Sequence, residues 1–266
     1  MFSRDREGEA LSRHLKQPLQ SRYVLDMRVD ATNYSDAVDQ VLGWATRGES
    51  RYVCCANVHS VMESFDSPEF RGCMNAADLV TSDGVPLVWA LRRLGVPDAT
   101  RVYGPDLVPA VLRGADREGL RVGFYGGSPD ALKRLSGLVD REYPGLLGYD
   151  FSPPFRPLSS EEDQMVVDRI NASGIQILFV GLGCPKQEQW MALHRHRVQA
   201  VMLGVGAAFD FLTGAKAQAP HWLQSAGLEW LFRLAVEPKR LWRRYLKHNP
   251  RFVMHFAAQL MAPKHS

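Results

Sequence analysis

The chain has 266 residues, 45% hydrophobic and 23% charged, with a formal net charge of +3. Such values exclude a low-complexity or fibrous chain, and the length suits one large α/β domain or two small ones whose core needs no disulfide or metal staple. Charge is uneven: from Glu229 onward eight Lys/Arg stand against two acids, while the first 228 residues carry a net of −3, so the tail is expected to meet something anionic. The four cysteines, Cys54, Cys55, Cys73 and Cys184, form no C-x-x-C pair and no zinc-spaced Cys/His cluster, and read as reduced thiols. The opening MFSRDREGEA is too polar for a signal peptide. No run reaches the roughly 18 apolar residues of a membrane span. The expectation is a cytoplasmic protein whose membrane contact, if any, is peripheral.

In chain order, residues 1–20 are polar and expected to be loose. VLDMRV (24–29) reads as a strand and 34–45 as a helix. Further strands are expected at 51–57, 78–84, 120–127, 175–183 and 199–206, each a short apolar run ending in Gly, Asn or Asp. Such runs suit strands buried on both faces of a parallel sheet. Helices at 106–118, 129–142, 160–172 and 186–197 alternate with them, which implies right-handed βαβ crossovers in a doubly wound sheet. SPPFRP (152–157) reads as a stiff loop. After Gly206 the chain turns aromatic and basic, with helices expected near 222–236, 239–248 and 251–260 and breaks at Pro238 and Pro250. The division expected is a flexible 1–20, an α/β body over 21–219 and a helical appendage over 220–266.

Ligands of such sheets bind beyond the carboxyl ends of the strands, so the residues closing each strand matter most. Asp83, in T-S-D-G, would face the crevice as a general base, although Asp-Gly is also a common turn pair. Gly126-Gly127 precede a helix start and would let backbone approach a phosphate, or simply cap a helix. In G-L-G-C-P-K-Q-E (181–188), Pro185 suits a first helical turn, which places Lys186 near a phosphate and Gln187 near a base or sugar. The alternative is a solvated first turn. His194 and His196 point to different sides of a helix and read as surface residues. The tail interleaves Arg233, Arg240, Arg243, Arg244, Lys247 and Arg251 with Trp222, Trp230, Trp242 and Tyr245, a mixture suited to a membrane interface. No nucleic-acid motif occurs. No D-x-D occurs to hold a divalent metal on a diphosphate, so the arginines are the expected counter-charge and no metal or other cofactor is expected. A dinucleotide fingerprint is absent, which argues against a dehydrogenase; a non-catalytic membrane scaffold would not need Asp83 and the P-K-Q-E loop at strand ends.

The stretches CANVHS (55–60), ADLVTSDGVPLVWALR (77–92), YGPDL (103–107), GFYGG (123–127), VGLGCPKQEQW (180–190), GVGAAFDFLTG (204–214) and GLEWLFRL (227–234) with EP.RLWRRYL (237–246) resemble the WecG/TagA/CpsF family, glycosyltransferase family 26. The resemblance runs from about residue 25 to 260. It implies a Rossmann-like α/β body, a parallel sheet sandwiched by helices, with a C-terminal basic helical appendage (GT-E-like) that completes the site at the membrane. It implies an inverting, metal-independent transfer of a sugar, of the N-acetylmannosamine or N-acetylmannosaminuronate type, from a UDP-sugar to an undecaprenyl-diphosphate-linked saccharide at the cytoplasmic face of the inner membrane. Glucosyl transfer from UDP-glucose in exopolysaccharide assembly is the alternative. Asp83 takes the general-base position. The substrate-binding positions implied are Cys55, Asn57, Arg101, Asp106 of the YGPDL segment, Gly126, Gly127, Gly183, Lys186, Gln187, Arg233, Arg240 and Arg243, the last three holding the diphosphate. The chain departs from the family pattern at Cys55, which replaces a hydroxyl, at Ala217-Gln218-Ala219-Pro220, which lacks a charge, and at FSPPFR (151–156). A homo-oligomer stays open, because membrane-docking faces can also self-associate.

Overall fold

The short apolar runs become strands because each is buried from both sides. In this computed structural model, which describes residues 19–262, β1 (Ser21–Val24) and β2 (Met27–Asp30) precede six strands: β3 (Arg51–Ala56), β4 (Leu79–Ser82), β5 (Val122–Gly126), β6 (Leu147–Phe151), β7 (Ile177–Gly181) and β8 (Val201–Gly204). The six form one sheet in the order β4-β3-β8-β7-β5-β6, with every neighbour parallel. Helix α1 (Tyr34–Thr46) leads into β3. Helices α2 (Val58–Asp66) and α3 (Pro68–Asn75) join β3 to β4, and α4 (Val85–Arg93) and α5 (Gly104–Glu118) join β4 to β5. Helices α6 (Pro129–Glu142), α7 (Ser160–Ala172) and α8 (Lys186–His194) make the next three crossovers. After β8 come α9 (Ala208–Leu212), α10 (His221–Ser225), α11 (Glu229–Val236) and α12 (Pro238–Met261).

Two apolar layers sandwich the sheet. On one face, side chains of α1, α5, α6 and α9 close over Phe124, Phe179 and Leu203. There Phe124 stacks on Phe179 at 5.4 Å and meets Phe209 edge-on at 5.5 Å. On the other, α2, α3, α4, α7, α8 and Phe252 of α12 cover Cys54, Val80, Tyr125 and Leu178. Each such aromatic or aliphatic side chain contributes about 1.5–3 kcal/mol by leaving water. The Rossmann-like sandwich expected from the alternating pattern is the one observed.

Several expectations change. The helix expected near 222–236 is two, α10 and α11, parted at Gly227 with φ 73°, and His194, expected at the surface, is 3% exposed and bonded to Asp163 at 2.9 Å. VLDMRV is not one strand of the sheet. It straddles the turn of the antiparallel β1–β2 hairpin, in which Leu25 and Asp26 both have positive φ (50° and 66°), as a two-residue hairpin turn with the sheet's twist requires. LGYDF, unmarked by any apolar run, is edge strand β6; it escaped notice because its residues are only partly covered. Pro250 does not break the last helix, which runs on as α12. The intrahelical bond that Pro250 cannot donate is outweighed by docking. Leu241, His248 and Phe252 are buried against the body, and Arg251 pairs with Asp66 of α2. Gln259 accepts from Leu25 N at 2.9 Å and donates to Tyr23 O at 2.7 Å. Of the loose segment expected over 1–20, residues 1–18 lie outside the described residues. No helix of the described residues is long and apolar enough to cross a membrane.

Candidate active site

Strand β4 reads Leu-Val-Thr-Ser and is fully buried; the next residue, Asp83, leaves the sheet at its carboxyl edge. Its N–H donates to Ala56 O of β3 at 2.9 Å, which fixes the backbone. Gly84 then lets the chain pass close to Asn57, whose Cβ would lie 3.3 Å from any added methyl. Asp83 Oδ2 accepts from Gly104 N at 3.2 Å, and the guanidinium of Arg101 stands 3.7 Å from Oδ1. The side chain is 16% exposed. Burial pushes its carboxyl up to about 7, against the pull of Arg101; Glu229 adds to the rise, and Gly104 N–H and Arg233 oppose it. A carboxyl so placed is half ionised near neutral pH, the condition that suits a general base.

Arg101 joins body to appendage. Its Nε donates to Asp83 O and its terminal nitrogen pairs with Glu229 at the start of α11, while its guanidinium lies over the Tyr103 ring at 4.1 Å. With α12 alongside, this closes a cavity of about 810 Å³. Asn57, Asp83 and Arg101 line it from the body, and Glu229, Arg233 and Arg244 from the appendage. The Nε atoms of Arg233 and Arg244 are buried and have no hydrogen-bond partner among the described residues. The first turns of α2 and α4 open on the same space, so backbone N–H groups add positive potential. Asn57 caps α2: its Oδ1 accepts from His59 N and Ser60 N, which leaves the amide end as the group it can offer a ligand.

Other positions inferred from the sequence sit elsewhere. Cys55 is buried behind Asp83; burial pushes its thiol up, and it does not line the cavity. Asp106 accepts from Tyr34 Oη at 3.3 Å, and that phenol in turn receives Tyr103 N–H, so it steadies the α5 start from outside the cavity. Gln187 is 4% exposed and engaged on both ends. Oε1 accepts from Gly183 N at 3.1 Å and Gly206 N at 3.0 Å, and Nε2 donates to Glu188 at 2.8 Å. It clamps the loops after β7 and β8 together, and Gly183 (φ +80°) is one end of that clamp. Gly126 is required by close approach, because an added methyl would meet Gly181 at 2.7 Å, and Gly127 N donates to Gly181 O at 3.0 Å. That amide is therefore committed to the neighbouring loop and not to a phosphate. Strands β4 and β5 are four steps apart, about 19 Å at strand spacing, so the glycines are remote from Asp83. Lys186 is exposed. Arg240 is exposed and paired with Glu237; Arg243 is exposed against the Trp242 ring at 5.2 Å. Neither lines the cavity.

The appendage arginines at the cavity are thus Arg233 and Arg244, and the sequence reading assigned only the first to the site. Helical periodicity was the available signal, since Arg244, His248 and Phe252 recur every four residues on one face. Glu229 was hidden because nothing in L-E-W announces an ion pair 128 residues back along the chain. His59, Glu63 and His248 were also missed. Their ligand atoms lie within 4.8 Å of one another, the one group among the described residues able to hold a metal ion. Burial, then Arg244, His248 and Lys247, drive His59 down to about 3; burial, then Lys247 and Arg251, lower His248. Both rings are held neutral among cations, a setting that also repels a bound cation.

A parallel sheet that carries an ionisable carboxyl at its carboxyl edge, faced by arginines from a helical appendage, is a framework that suits a group-transfer enzyme. The chain belongs to the WecG/TagA/CpsF family of glycosyl transferases, whose model matches residues 22–266; the protein is a glycosyltransferase. A curated relative from Bacillus spizizenii (strain ATCC 23059 / NRRL B-14472 / W23), N-acetylglucosaminyldiphosphoundecaprenol N-acetyl-beta-D-mannosaminyltransferase, is 31% identical over 208 residues, 78% of this chain and 79% of the relative.

Proposed function

We propose that this glycosyltransferase moves a sugar, of the N-acetylmannosamine type, from a UDP-sugar onto a polyprenyl-diphosphate-linked saccharide, in one inverting displacement. Asp83 takes the proton of the acceptor hydroxyl as that oxygen bonds to the donor's anomeric carbon. The bond from that carbon to the diphosphate oxygen breaks, and UDP leaves with the electron pair. Arg233, a cationic side chain in place of a divalent metal, offsets the charge that develops, while Arg244 serves the acceptor side of the cavity. The observation that carries this reading is the Asp83 carboxyl, pushed up to about 7 where it opens on a cavity walled by those arginines. The name of the Bacillus relative supports the acceptor class.

The appendage also supports docking on the bilayer. Trp222, Trp230, Leu231, Trp242 and Leu246 are exposed among Lys239, Arg240 and Arg243, an apolar and basic mixture that seats a protein on anionic lipid. The test is a UDP-release screen of UDP-N-acetylmannosamine, UDP-N-acetylmannosaminuronate and UDP-glucose against polyprenyl-diphosphate saccharides. Release with one donor, dependent on acceptor, is expected. No release with any pair would sink the proposal, and release with UDP-glucose alone would move the donor to glucose.

A further inference from the structure

The cavity does not end where the polar groups end. Beyond Arg244 and His248 it continues between α4 and α12, lined by Val85 and Trp89 on one side and Phe252, Val253, Phe256 and Leu260 on the other. Trp89, Val253 and Leu260 are 55%, 65% and 44% exposed, so this is an open trough with apolar walls. The β1–β2 hairpin pins both walls at the far end. Arg22 Nε donates to Leu94 O just past α4 at 2.8 Å, and Leu25 N donates to Gln259 of α12. From Phe252 to Leu260 the wall spans about 12 Å at helical rise, the length of a few isoprene units.

The two ends differ in chemistry in a way that selects an occupant. One end offers two guanidinium groups whose buried Nε atoms lack partners, beside Asp83; the other is walled mainly by hydrocarbon, with the exposed Arg92 and Arg93 of α4 at its rim. A diphosphate with a branched hydrocarbon tail matches both, whereas a nucleotide or a free saccharide would leave the apolar wall wet. Exposed apolar surface of this extent on a soluble face marks an interaction site, and charge complementarity at one end fixes the direction in which the ligand lies.

We propose that the trough between α4 and α12 seats the first isoprene units of a polyprenyl diphosphate, with the diphosphate at Arg244, on the same helix as the apolar wall, and the rest of the chain passing on into the bilayer. The proposal deepens the functional reading above and rests on its amphiphilic acceptor. It assigns α12 two jobs, carrying a phosphate-binding arginine in its second turn and a lipid-binding face in its last half. It also gives the β1–β2 hairpin a reason to be stapled to both walls.

Its test is binding, which does not require transfer. Dissociation constants of dimethylallyl, geranyl, farnesyl and geranylgeranyl diphosphates are measured by calorimetry with the full chain, without detergent and below micelle formation. Affinity should rise at least about tenfold from the five-carbon to the fifteen-carbon ligand as apolar surface leaves water, then level off. Ala257→Trp, which fills the trough, should abolish the rise while leaving the five-carbon ligand's affinity in place. Met254→Trp, on the same helix but off the trough, should bind as wild type. Arg244→Ala should weaken every length equally. Equal affinity for all lengths, an intact rise in Ala257→Trp, or equally tight binding of dihexanoyl phosphatidic acid would overturn the proposal. Chain-length-dependent binding without UDP release in the donor screen would instead overturn the functional reading and leave the trough standing.

Discussion

The loops after β7 and β8 and the edge of β4 are built from similar material, small residues followed by polar ones at strand ends, yet they differ in what is left over. In the first, every polar group of Gln187 is consumed internally. In the second, a carboxyl is held mostly out of water and two arginines keep buried Nε atoms without partners. The lesson is that a distinctive motif can be distinctive for packing reasons. Chemistry sits where the fold leaves polar groups unsatisfied at the cost of stability.

The largest effect separating the two regions is on rate. Asp83→Asn should lower kcat by about 10²–10⁴ in a UDP-release assay while donor affinity changes little; a rate near wild type would remove Asp83 from the chemistry. The same variant should be more stable. Asp83 titrates at about 7 in the folded chain against an ordinary 3.8, so the folded state holds the proton more tightly. Stability is therefore lost as pH rises from about 4 to 7, by an amount on the order of a few kcal/mol. Asn removes that cost: its melting temperature should exceed wild type at pH 8, and the gain should vanish toward pH 4.

The opposite pattern is expected next at the β7–β8 clamp. Gln187→Ala strands two buried N–H groups and the Glu188 carboxyl, at about 2–4 kcal/mol, read as a lower denaturation midpoint. Catalysis at a permissive temperature should fall much less than in Asp83→Asn. A normal midpoint with a collapsed rate would reverse the roles of the two regions.

Smaller again is the contrast within one helical turn. Arg244→Ala should lower kcat/KM for acceptor about 10–100-fold, the worth of a charge-assisted hydrogen bond, whereas Arg243→Ala should stay within about threefold, as an exposed charge does. Smallest is chelation. With arginines carrying the counter-charge, EDTA should leave kcat within about twofold; loss of activity restored by one divalent ion would direct attention to His59, Glu63 and His248.

Much of this is legible in the amino-acid sequence. Five of the six sheet strands announce themselves as apolar runs, because parallel strands covered on both faces need nothing else. Helices over 129–142 and 160–172 begin and end as read, since Ser128-Pro129 and the Ser159–Glu162 capping box mark their starts. Asp83 was legible because it closes an apolar strand. What stayed hidden depends on tertiary contact: the Arg101–Glu229 bridge spans the chain, and Pro250 is tolerated only because α12 is docked along its length. Gln187 looked like a ligand contact because a sequence shows a residue's hydrogen-bonding capacity and not whether its neighbours have already used it.

The central claim is that Asp83 is the ionising base of the transfer, and the pH dependence of kcat/KM for acceptor tests it most directly. Wild type should lose activity as pH falls through a single ionisation near 7. Arg101→Gln should move that limb upward and Glu229→Gln downward, because the first removes a cation and the second an anion beside the carboxyl. A limb that stays in place in both variants, or that survives unchanged in the residual activity of Asp83→Asn, would contradict the account.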